Sequence, residues 1–100
     1  MREDISSGYK VVQSCHGLAE FAARHGPEFK DWELQSNYLC CLETSKLKMN
    51  IMISKLDDLR IKYTVFEEPD IGNEITSITI QAIPEDLHKK LFKNLNLTLS

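Results

Sequence analysis

The sequence predicts an α/β fold, a small mixed β-sheet of about four strands with helices packed on it. Helical and extended patterns alternate along the chain. Apolar residues recur at three- and four-residue spacing in Tyr9–Ala23 and Leu47–Leu59, whereas 62–66 and 75–83 carry β-branched residues typical of strands. Cap, Gly and Pro residues punctuate these runs, and 100 residues make one domain, 1–100, with a single core.

In chain order, Met1–Ile5 reads as the last residues of a strand. Ser6, Ser7 and Gly8 are cap-type residues before a periodic run, so a helix starts there. At roughly 100° per residue, Val11, Val12, Cys15, Leu18, Ala19, Ala22 and Ala23 share one apolar arc expected to face the core. Tyr9, Gln13, His16 and Glu20 form a polar stripe beside it. Arg24-His25-Gly26-Pro27 stops the helix, and Pro27 opens a short second one to Glu33. After a turn at Gln35–Asn37, Tyr38–Leu42 reads as a buried strand. Thr44 or Ser45 caps a third helix running to about Arg60, with Leu47, Ile51, Met52, Leu56 and Leu59 inward. Lys62–Phe66 is a strand, and Glu67–Glu74 an acidic, turn-rich connection. Ile75–Ile83 alternates as a strand, and Pro84-Glu85-Asp86 begins a last helix carrying Leu87, Leu91 and Phe92. Asn94–Ser100 alternates too, as a terminal extended segment or a tail.

Composition narrows the classes. Hydrophobic residues at 42% and charged residues at 27% are ordinary globular values. With a net charge of −3, a nucleic acid partner would need a local basic patch. No apolar run approaches the roughly 18–20 residues that span a bilayer, and the N-terminal residues lack a signal peptide's hydrophobic region, so a cytoplasmic setting is expected. Cys15, Cys40 and Cys41 include no Cys-x-x-Cys pair, which argues against a disulfide framework or a zinc site; three reduced, mostly buried thiols are expected.

One set of residues resembles a known family. Arg2-Glu3-Asp4-Ile5, Gly8, Gln13-Ser14-Cys15-His16-Gly17, Asp70-Ile71-Gly72 and Pro84 follow the order of motifs in the archaeal and eukaryotic (type 2) peptidyl-tRNA hydrolases. The chain looks like a divergent, N-terminally short member. The family's lysine four residues before the Gln is Tyr9 here, with Lys10 one position on; its Thr four residues after the Asp is Glu74, with Thr76 the nearest hydroxyl. The resemblance implies a peptidyl-tRNA hydrolase-like fold and hydrolysis of the ester of peptidyl-tRNA, without metal or other cofactor.

That chemistry requires an activated water, donors for a tetrahedral oxyanion and a grip on the tRNA end. On this reading Asp70 or His16 activates water, while Gln13, Lys10 or the Tyr9 hydroxyl stabilises the oxyanion. The helix N-terminus at Ser7 and Gly8, with Arg2 in support, suits a phosphate; Gly72 and Thr76 flank the substrate. A second reading is a binding module for protein or RNA that keeps the fold and lacks the chemistry. Tyr9, Glu74 and the acidic Glu67–Asp70 run motivate it, and an open sheet edge could accept a second copy of the chain. A ferredoxin-like regulatory domain ranks third, for want of a full strand before the first helix.

Overall fold

The computed structural model describes residues 1–36, 39–93 and 95–97. The elements follow the predicted order: α1 (Ser7–Arg24), α2 (Gly26–Gln35), β1 (Leu42–Glu43), α3 (Lys46–Asp58), β2 (Tyr63–Glu68), a 3-10 turn (Pro69–Ile71), β3 (Glu74–Ile80), α4 (Glu85–Leu91) and β4 (Asn96–Leu97). Local chemistry explains the helix starts. The Ser6 and Ser45 hydroxyls accept hydrogen bonds from the backbone N–H of Tyr9 and Lys48, each at 3.3 Å. Pro27 and Glu28 occupy the first turn of α2, where a missing N–H costs nothing and a negative charge meets the helix dipole.

The strands form two antiparallel pairs, β2 with β3 and β1 with β4, and not the single mixed sheet of four strands that was expected. What joins the pairs is the segment Met1–Glu3. The Arg2 N–H donates to Thr76 O at 3.0 Å, while Glu3 N–H donates to Thr44 O at 3.0 Å and Thr44 N–H to Met1 O at 2.9 Å. Arg2 and Thr44 form a parallel bridge, which is all of the predicted first strand that exists. The β2–β3 ladder pairs Thr64 with Thr79 and Phe66 with Ser77, then slips by a bulge between Phe66 and Glu67. The predicted Tyr38–Leu42 strand is shifted: β1 is Leu42–Glu43, Leu39–Cys41 is irregular, and Tyr38 lies outside the described residues. β3 stops at Ile80, short of Ile83. Asn94 and 98–100 also lie outside the described residues; β4 occupies part of the proposed terminal extended segment.

Helix α1 turns a different face inward from the one its apolar arc predicts. Lys10, Gln13, Gly17 and Phe21 are buried, whereas Val11 and Val12 are 50% and 47% exposed and Cys15 is exposed. The sheet explains this inversion. The strands offer α1 a face of hydroxyls and a carboxylate (Glu68, Thr76, Ser77), and groups that hydrogen-bond to it gain more there than apolar ones. Helix α3 contains two overlapping apolar stripes. The one buried is centred on Met49 and Leu56, with Met52 and Ile53 half-buried, while Leu47, Ile51 and Leu59 are exposed. The expected burial of the cysteines is likewise corrected: Cys15 and Cys41 are exposed and Cys40 is half-buried. Among the described residues no helix is long and apolar enough to cross a membrane.

Candidate active site

Helix α1 can lie close to β3 because position 17 has no side chain. A Cβ on Gly17 would sit 2.7 Å from Thr79 Oγ1 and 2.8 Å from Ser77 Oγ, inside contact distance. That approach carries Gln13 between the strands' polar groups. Gln13 is fully buried; its Oε1 accepts from Thr76 Oγ1 at 2.7 Å, and its Nε2 donates to Glu68 Oε2 at 2.7 Å. Ser77 Oγ donates to the Gln13 backbone carbonyl at 3.3 Å. The amide orientation follows from its partners, since a carboxylate can only accept.

Glu68 is the centre of the cluster. It is 8% exposed, and its second oxygen caps the 3-10 turn by accepting from the Asp70 N–H at 3.3 Å. Donation from Gln13, then from the Asp70 amide, holds its carboxyl below the usual range against the opposing effect of burial; Tyr9 and the nearby His16 add smaller contributions. The Tyr9 phenol is pushed up, first by partial desolvation and then by the negative charges of Glu68 and Asp70. His16 is exposed on the next turn of α1, its ring stacked on Phe66 with centroids 4.8 Å apart and planes 7° from parallel. Asp70 is exposed on the turn, which closes through Gly72 at φ +76°, a left-handed conformation that suits glycine.

Of the residues the sequence singles out, Tyr9, Gln13, His16, Asp70 and Thr76 therefore gather around Glu68, with Gly72 shaping the turn. Thr76 is fully buried, so its hydroxyl serves Gln13 and does not face outward. Both atoms of the Gln13 amide are engaged inside the protein as well. Lys10 and Arg2 lie apart. Lys10 Nζ pairs with Glu43 Oε2 on β1 at 2.7 Å. The Arg2 guanidinium is buried and bonds Asp4 through Nε at 2.8 Å and Nη2 at 2.6 Å, with Glu74 at 3.5 Å. Asp4 is held below the usual carboxylate range by Arg2, and Glu74 by Lys46 and then Arg2. Ser7 and Gly8 are exposed in the first turn of α1.

Glu68 was not singled out by the sequence, where it belongs to an acidic connection. Its signal was local: a carboxylate just before Pro-Asp-x-Gly is placed to take the first N–H that a Pro-initiated turn leaves free. Among the described residues no three His, Cys, Asp or Glu side chains are grouped to hold a metal ion. The arrangement offers two exposed titratable groups, Asp70 and His16, beside a buried and ionised carboxylate, which is suited to moving a proton to or from water. Compared with known protein families, with curated proteins and with solved structures, the chain matches none.

Proposed function

We propose that this protein hydrolyses the ester joining a peptide to the 3′ ribose of tRNA, in the cytoplasm. The observation that supports the reading is the meeting of the Gln13-Ser14-Cys15-His16 turn of α1 with the Asp70-Ile71-Gly72 turn, far apart in sequence, at the Glu68 carboxylate. Asp70 is the general base that orients and deprotonates water, and His16 is its partner in proton transfer. Gln13 holds the cluster from beneath. The free N–H groups of the first turn of α1, at Ser7 and Gly8, receive a phosphate or the developing oxyanion.

The test is release of peptide from a purified peptidyl-tRNA by wild type, Asp70→Asn and His16→Ala, with chelator present. Release that falls at least about 100-fold in Asp70→Asn, with the thermal unfolding midpoint unchanged, is the expected result. Equal rates in both variants and wild type overturn the site assignment. The internal pairing of Arg2 and Lys10 favours a second reading, a binding module without hydrolytic chemistry. A well-folded wild type that releases nothing decides for it.

A further inference from the structure

We propose that Glu68 is the positioning residue of this site, a single carboxylate that fixes helix α1 and the Asp70 turn relative to each other through a chain of hydrogen bonds with one permitted polarity. The chain starts in the sheet. Thr76 Oγ1 donates to Gln13 Oε1 at 2.7 Å, Gln13 Nε2 donates to Glu68 Oε2 at 2.7 Å, and the Asp70 N–H donates to Glu68 Oε1 at 3.3 Å. An ionised carboxylate has no proton to give, so Gln13 must present its nitrogen, and its oxygen is then left to face the Thr76 hydroxyl. Both middle residues are buried, Gln13 completely and Glu68 with 8% of its surface exposed, so water offers little substitute for a lost link.

Glu68 also closes the turn through its backbone. Its carbonyl accepts from the Asn73 N–H at 2.9 Å, opposite the side-chain bond to Asp70. Pro69 has no N–H and a fixed φ, so Asp70 supplies the first free donor of the turn and Glu68 is the residue in reach of it. One residue thus holds the turn at both ends, and its side chain links that turn to α1, which carries His16 and Tyr9. Asp70 itself is exposed and owes its place to this anchorage. The effect on turnover rests on the hydrolase reading above, whereas the coupling of helix to turn does not.

The test exchanges the two side chains. Gln13→Glu keeps the size but sets two carboxylates face to face, whereas the double variant Gln13→Glu/Glu68→Gln restores each link from Thr76 through positions 13 and 68 to the Asp70 amide, with the charge moved to position 13. Two readouts are taken at pH 8: hydrogen-exchange protection of the Asp70 amide, and kcat and KM for peptidyl-tRNA. The expected result is at least a tenfold loss of protection in Gln13→Glu, with kcat falling at least tenfold and KM within twofold. The double variant returns both protection and kcat to within threefold of wild type. Unchanged Asp70 protection in Gln13→Glu, or a double variant no better protected than the single, overturns the proposal. If Gln13→Glu does not fold, the double variant decides alone, by folding with wild-type protection at Asp70 or failing to. If wild type hydrolyses nothing, the hydrolase reading fails while the exchange measurement still decides the positioning role.

Discussion

Gln13 Nε2 lies 2.7 Å from Glu68 Oε2 in a place no solvent reaches Gln13, although the two residues stand 55 positions apart in the chain. Truncating Gln13 removes the donor to Glu68 and the acceptor for Thr76 together. Gln13→Ala is expected to lower stability by about 2–4 kcal/mol, the cost of stranding buried polar partners. Val12→Ala, one residue earlier and 47% exposed, is expected to change it by about 0.5 kcal/mol or less. Urea unfolding of the two variants checks the contrast.

Gly17→Ala pits propensity against packing. An alanine gains up to about 1 kcal/mol over glycine in an unconstrained helix. Here its methyl would lie 2.7 Å from Thr79 Oγ1, on a short side chain of a paired strand that has little room to move. Helix and sheet must separate, at a cost of about 1–3 kcal/mol, so the variant is expected to be less stable than wild type. An increase in the unfolding midpoint would refute the close approach.

Acid stability should report the same network. Asp4, Glu68 and Glu74 are all held below the usual carboxylate range, by Arg2, by Gln13 and by Lys46 respectively. On acidification the unfolded chain takes up protons at the ordinary values, 3.8 for Asp and 4.5 for Glu, before the native carboxylates do. The stabilisation is complete above those values and is lost as pH falls below them, through the lower native ones. A thermal midpoint level from pH 7 to 5 that then drops is expected, with a shallower drop in Glu74→Gln.

The Lys10–Glu43 pair is nearly enclosed, with side chains 11% and 18% exposed. Removing one partner leaves a charge in a poorly hydrated place, so Lys10→Met is expected to cost about 3 kcal/mol. Replacing both, as Lys10→Met/Glu43→Leu, is expected to come within about 1 kcal/mol of wild type. A denaturant double-mutant cycle measures the difference, and equal losses in single and double variants would contradict it.

Element order was legible in the sequence because caps, prolines and period changes are local signals. Ser6, Ser45 and Pro27 act where their chemistry says they should. Which face of α1 turns inward was not legible, because periodicity ranks faces by apolarity alone. The sheet's choice depended on Thr76, Ser77 and Glu68, whose joint burial follows from a bulge between Phe66 and Glu67 that no propensity announces. The stripe Tyr9-Gln13-His16 was readable as a candidate site, but the carboxylate at its centre was hidden in an acidic connection. Lys10 looked like a free cation because its partner, Glu43, is distant in sequence, whereas Arg2 is taken up chiefly by Asp4, only two residues on.

The segment Met1–Glu3, hydrogen-bonded to Thr44 on one side and Thr76 on the other, has a consequence for the order of folding. The β2–β3 hairpin closes a short loop and can form early, on its own. The opening residues must wait for partners more than forty positions downstream, and such closures come late because chain entropy opposes them. On the ribosome they are made before either partner, so the join between the two strand pairs closes only after the hairpin's far strand has been synthesised.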